Sequence, residues 1–212
     1  MPKVIAIHSY RGGTGKSNVI ANLAVVLAGA GKHVAETAAE VTPPSLDGGG
    51  RVWLVPSSLQ AGEIAKVLRE GYDVGLLNDG FRDLIDDLQL DYLLIDTHPG
   101  LNEETLLSIA ISDELIILLR PDRQDFLGTA VTVEVARKLE VKSLVMVLNK
   151  VLPSVVERGF RADVERIYGA PVIGMLPESP DMLELGSSGL FTLRFPDHPL
   201  SQEIHRLAAH LL

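Results

Sequence analysis

The 212-residue chain contains no cysteine. Disulfides, thiolate metal sites and cysteine nucleophiles are thereby excluded, although this absence does not identify a compartment. A basic excess is missing too: 19 Lys and Arg against 28 Asp and Glu give a formal net charge of -9, which argues against a strongly basic nucleic-acid protein. No apolar run approaches the roughly 18 to 20 residues of a membrane span. A strand-like run begins at Lys3, so the reading expects no signal peptide and a soluble or peripheral chain, with the cytoplasm as its compartment. Repeats and long low-complexity segments are absent as well. With 46% hydrophobic and 22% charged residues, a single domain over residues 1–212 with a full core is expected.

What is present is concentrated near the start. Lys3-Val4-Ile5-Ala6-Ile7-His8 is rich in β-branched residues and short enough for a buried strand. From Asn18 to Ala30, Val19, Leu23, Val26, Leu27 and Ala30 recur at helical spacing. Between them lies Tyr10-Arg11-Gly12-Gly13-Thr14-Gly15-Lys16-Ser17, a glycine turn in the strand-to-helix context that a phosphate-binding loop requires. Glycines let the backbone turn tightly with its amides pointing inward, and the following helix adds the positive end of its dipole. Lys16 would neutralise β- and γ-phosphates, and the Ser17 hydroxyl would serve Mg²⁺, which binds through few protein ligands. The chain is therefore expected to bind a nucleotide.

Further along, strand-like runs recur at 51–55, 92–95, 115–119, 144–148 and 172–176. Helix-period segments near 61–69, 76–88, 103–112, 128–139, 155–168 and 201–211 separate or follow them. That alternation predicts an α/β fold: a doubly wound, mostly parallel sheet with helices on both faces and ligands at the carboxyl ends of the strands. Asp91 to Gly100 reads as a buried strand ending in Asp96 and a turn, an arrangement that suits Mg²⁺ held through water. Taken alone, Asp96 also reads as a turn initiator, and His98 as a hydrogen-bonded turn residue. Asp125 has the chemistry of a helix cap. Arg137, Lys138, Lys142, Lys150, Arg158, Arg161 and Arg166 form either a locally basic face or a solvated face shared with acids. The stripe Leu200, Ile204, Leu207 and Leu211 lacks the lysines and bulky aromatics of an interfacial anchor, so it reads as a helix closing the core.

The loop departs from the general pattern G-x-x-x-x-G-K-[ST], because Tyr10 stands at the first glycine. Its doubled glycine after a basic residue resembles the deviant Walker A loop of the MinD/ParA family, which includes the nitrogenase iron protein and Mrp-like ATPases. The resemblance runs from the first strand to about Pro199. It implies a P-loop ATPase that binds ATP and Mg²⁺ and closes as an ATP-dependent homodimer. Arg11 stands where relatives carry lysine and would reach the phosphates held by the other subunit. Arginine keeps the charge but presents a planar donor fork.

Residue by residue, the resemblance assigns Gly12, Gly13, Thr14, Gly15, Lys16, Ser17 and Asn18 to the nucleotide, Ser17 and Asp96 to the metal, and Gly100 to the γ-phosphate approach. Asn149 would meet the adenine edge and Pro177 would flank the base. Asn149-Lys150-Val151-Leu152 lacks the aspartate of a guanine reader. The segment Val34 to Gly50 is the exception: it is helix-biased at first and then turns at Pro43, Pro44 and a triple glycine. Two aspartates of the relatives fall there on Ala38 and Glu40, leaving Glu40 either to position the attacking water or to be an ordinary loop acid.

Two functions follow from the resemblance. One is a nucleotide-switched ATPase in intracellular positioning or partitioning, with an unidentified partner protein and a membrane or nucleoid surface unspecified. The other is a non-hydrolysing nucleotide-binding scaffold with an altered switch. A small-molecule kinase is disfavoured by the lack of a visible basic substrate lid, and iron–sulfur chemistry of the nitrogenase type by the missing cysteines.

Overall fold

The computed structural model describes residues 2–37, 39–40, 48–54, 74–156, 159–186 and 188–212. Within them a single eight-stranded sheet runs β1 Lys3–His8, β2 His33–Thr37, β3 Ala39–Glu40, β4 Arg51–Leu54, β5 Tyr92–Asp96, β6 Glu114–Leu119, β7 Leu144–Val151 and β8 Val172–Pro177. Their spatial order is β3-β4-β2-β5-β1-β6-β7-β8, and every pairing is parallel except the two-residue β3 against β4. The order reverses around β1, so the loop after β1 opens at the crevice where doubly wound sheets take their ligands. The α/β sandwich is the architecture that the alternating sequence pattern implies.

The helices are α1 Lys16–Gly29, α2 Val74–Leu88, α3 Glu103–Ile111, α4 Arg123–Lys138, α5 Pro153–Val156, α6 Phe160–Tyr168, α7 Pro180–Leu185, α8 Phe191–Arg194 and α9 Pro199–Leu211. Strand β1 serves both faces of the sheet because successive side chains point to opposite sides. Ile5 and Ile7 join a core with α1 and α9, whereas Ala6 joins the core under α4 and α6. Central parallel strands buried on both sides explain the continuous apolar runs, of which β6 is buried at all six positions. Leu200, Ile204, Leu207 and Leu211 are buried against this sheet, so α9 closes the core.

Several boundaries differ from the sequence reading. The helix bias at the start of the Val34 to Gly50 segment is overridden: Val34 pairs with Tyr92 and Val52, and a buried place between two strands favours extended backbone. The segment 155–168 is divided into α5 and α6, with Gly159 in the left-handed region before α6 and residues 157–158 outside the described set. Helix α4 starts at Arg123, capped by Asp122, whose side chain accepts from the amides of Gln124 and Asp125. Asp125 is therefore not the cap. Helix α9 begins at Pro199, where a missing N–H costs nothing. The predicted helix at 61–69 lies outside the described residues, as do Ala38, Val55 and Arg158.

The candidate basic face is largely spoken for. Arg137 donates to the carbonyls of Tyr168 and Gly169, Lys138 pairs with Glu134, Lys142 with Asp113, Arg161 with Glu165, and Arg166 with Asp163. This is the mixed-charge face.

Candidate nucleotide site

The turn between β1 and α1 is shaped by two left-handed glycines, Gly13 at φ 77° and Gly15 at φ 96°. At Gly15 a side chain is doubly excluded, since a Cβ there would come within 2.6 Å of Asn149 Nδ2. Thr14 and Lys16 are buried, and both donate to Ser9 Oγ, at 2.9 and 3.0 Å. Ser9 in turn donates to the carbonyl of Arg11 at 2.7 Å. The reading of the sequence missed Ser9; its only signal was a hydroxyl residue directly after the strand. Burial pulls the pKa of Lys16 below its ordinary value, and the Asp96 carboxylate works in the opposite direction.

The second half of the site comes from the strand beside β1. Ile7 is in register with Asp96, which brings the end of β5 alongside the start of the loop. Ser17 donates to Asp96 Oδ2 at 2.6 Å, across 79 residues of sequence. A hydroxyl and a carboxylate at one point are the hard oxygen donors that Mg²⁺ takes in small number, so the pair fits that ion. Gly100 follows at φ 83°, and Pro99 lies against Gly12, 3.9 Å from where a Cβ of Gly12 would stand.

Behind this pair, the buried His8 ring shares a 2.7 Å hydrogen bond with Thr97 Oγ1, which itself donates to the Ile7 carbonyl. With its hydroxyl proton committed there, Thr97 accepts from His8 Nδ1–H. His8 Nε2 then has no hydrogen-bond partner among the described residues, and burial, aided by the nearby Lys16 charge, lowers the pKa of His8 to about 4. His98 is exposed and 3.7 Å from Glu104, away from this cluster.

A cavity of about 330 Å³ opens on the far side of the loop. Its walls include Gly13, Gly15, Asn18 and Val19 from the loop and α1, Asn149 and Lys150 from β7, Pro177 and Glu178 after β8, and Leu200 and Ile204 from α9. Asn149 donates through Nδ2 to the Thr14 carbonyl at 2.7 Å, and its Oδ1 accepts from no group among the described residues. Lys150, at φ 57°, sends Nζ to the Gly13 carbonyl at 3.2 Å. Sequence reasoning left Lys150 among the surface charges; only the left-handed backbone bend brings it back over the loop.

Residues 5–193 match the family described as the CobQ/CobB/MinD/ParA nucleotide binding domain. The chain belongs to the MinD/ParA family. An uncharacterized ATP-binding protein of Methanocaldococcus jannaschii is 30% identical over 100% of this chain and 88% of its own length. An iron–sulfur cluster carrier protein of Saccharolobus solfataricus is 27% identical over 96% of this chain and 81% of its own. The MinD cell division protein of Aquifex aeolicus superimposes with a TM-score of 0.82, covering 99% of this chain and 96% of that one at 20% identity. The last likeness speaks for the fold alone.

Two residues that the MinD/ParA resemblance assigned to catalysis stand apart from the loop interior. Arg11 turns toward α4, its Nη1 3.7 Å from a carboxylate oxygen of both Asp122 and Asp125. Glu40 pairs by its backbone with Trp53 in the edge strand β3. Four strand spacings separate β3 from β1 in the sheet order, or about 19 Å. By contrast, Asn149 and Pro177 line the cavity together with Gly13, Gly15 and Asn18, and Ser17 meets Asp96 directly beside the loop.

Proposed function

We propose that this MinD/ParA-type chain is an ATPase that binds ATP with Mg²⁺ and switches between monomer and homodimer as the nucleotide turns over. The observation that carries the reading is the Ser17–Asp96 contact, which joins the loop to a carboxylate from the neighbouring strand. In this assignment the amides of Gly12 to Lys16 and the α1 dipole receive the phosphates, and Lys16 leaves Ser9 for the β- and γ-phosphoryl oxygens. Ser17 and Asp96 hold the ion, which supplies charge neutralisation at the transferring group. Asn149 Oδ1 accepts from the amino group of adenine, and Pro177 borders the base. Gly100 gives the second loop its approach to the γ-phosphate. Arg11 stabilises the phosphates bound by the second copy.

Positioning or partitioning of an intracellular cargo, with a partner protein at a membrane or nucleoid surface, is the role that this switch would serve. The cytoplasm, where ATP and Mg²⁺ are abundant, is the corresponding location. No described helix is long and apolar enough to cross a membrane. Cluster carriage, named for the Saccharolobus solfataricus relative among others, lacks thiolate ligands in this cysteine-free chain. Sedimentation velocity with Mg²⁺-ATP, Mg²⁺-ADP and no nucleotide tests the proposal: a dimer confined to ATP supports it. An unchanged species, once ATP binding is measured, rejects the switch.

The edge position of Glu40 favours a second reading, a nucleotide-binding scaffold without turnover. Phosphate release no faster than in Lys16→Ala would establish that reading. Release well above the variant would eliminate it.

A further inference from the structure

We propose that Tyr10 is a positioning residue for Arg11, with its ring seated in a notch that Gly128 leaves in α4. The dimer arm of this inference rests on the reading of Arg11 as the group that reaches a second copy. Gly128 is buried in the interior of a 16-residue helix, where glycine costs about 1 kcal/mol relative to alanine. The contact with Tyr10 requires glycine: a Cβ at Gly128 would fall 1.9 Å from Tyr10 Cδ1 and 2.2 Å from Cγ. Tyr10 itself is 41% exposed, so the ring is docked on the surface and is not part of the core.

One residue further, the Arg11 guanidinium meets the start of the same helix. Asp125 Oδ2 accepts from the backbone amide and Nε of Arg120, at 3.1 and 3.2 Å. Its other oxygen, Oδ1, is buried without a hydrogen-bond partner among the described residues and faces Arg11 Nη1 at 3.7 Å. Asp122 holds the same nitrogen at the same distance, while its carboxylate also caps α4 and pairs with Arg120. At 3.7 Å the guanidinium is attracted by both acids yet outside ordinary hydrogen-bond reach. The leading edge of the loop is thus fixed to α4 at two points, a ring in a notch and a cation above two carboxylates. The seated ring sets how far the guanidinium stands from the acids, and a phosphate presented across a dimer face has only an unbonded ion pair to displace.

Gly128→Ala tests the seat. The added methyl expels the ring into solvent, which its exposure allows, and alanine preserves the helix. In the nucleotide-free protein, amide hydrogen exchange across residues 10–13 should rise in Gly128→Ala and in Tyr10→Gly, and stay at the wild-type level in Tyr10→Phe. Dimerisation in Mg²⁺-ATP should weaken roughly tenfold in the first two variants. The double variant Tyr10→Gly/Gly128→Ala should be no weaker than either single one, since both remove the same contact. In an Arg11→Ala background, Gly128→Ala should have no further effect.

Unchanged loop exchange in Gly128→Ala overturns the seat. Exchange or dimerisation in Tyr10→Phe as altered as in Tyr10→Gly also overturns it, as does an equal loss of dimerisation with Arg11 absent. If Arg11→Ala alone leaves dimerisation intact, the reading of Arg11 across the dimer fails, and the exchange measurements still decide the seat.

Discussion

Mild acid should destabilise this protein through His8 specifically. The ring is fully buried, its Nδ1–H is committed to Thr97, and Lys16 is close enough to disfavour a second positive charge. Its pKa is lowered from 6.5 to about 4, so between those values the folded chain binds fewer protons than the unfolded chain. The contribution is therefore complete above pH 6.5 and is lost as pH falls toward 4. A shift of that size corresponds to about 3 kcal/mol, at roughly 1.4 kcal/mol per pH unit in the middle of the window. Urea unfolding of the wild type and His8→Asn at several pH values from 7 to 4 measures it. Carboxylates titrate in both proteins, so the informative quantity is the difference in slope, and the wild type should lose about one proton's worth more stability. Parallel stability-against-pH curves would refute the argument.

Four other outcomes are expected. Gly15→Ala should lower unfolding free energy by about 2 kcal/mol, because the left-handed backbone is strained and Asn149 must move; Gly13→Ala, with open space around it, should lose less in the same urea titration. Ser17→Ala should weaken ATP binding roughly tenfold when Mg²⁺ is present and leave it unchanged in chelator, as read by calorimetry. Asn149→Ala should reduce preference for ATP over GTP in competition binding, because Oδ1 is the acceptor left free for an amino group. Glu114→Leu should lower the urea midpoint by the equivalent of about 2 kcal/mol, since the buried carboxylate takes Lys3 Nζ at 2.6 Å and Ser143 Oγ at 3.1 Å. Lys3 is partly exposed and can recover water, which keeps that loss below the value for a fully buried pair.

The parts of the molecule that were legible in the sequence are those decided locally. A β-branched run, glycines at 13 and 15 and a helical stripe from Val19 specify a strand, a left-handed turn and a helix without reference to the rest of the chain. Asp96 was legible because a buried strand ending in an acid has few other uses beside such a loop. The gathering of Asn149 and Pro177 around the same crevice depends on the order β1-β6-β7-β8, which spacing does not encode; family resemblance supplied it. The cap of α4 was misplaced because Asp122 and Asp125 have the same chemistry. What separates them is the backbone: both acids meet the Arg120 side chain, but Asp125 takes the Arg120 amide behind it, and Asp122 takes the free amides of the first turn. Ser9 and Lys150 were overlooked for a related reason, since each acts through a partner fixed by the folded backbone.

The cavity beside the loop has a consequence for the order in which the protein becomes competent. Its phosphate end, at Gly13 and Gly15, is synthesised long before Leu200 and Ile204 on its opposite wall. Until α9 docks, the nascent chain carries a formed turn facing an unwalled space. Nucleotide affinity should consequently appear abruptly once α9 has been made, and a ligand that finds the crevice reports that the β1–α1 loop and α9 have met.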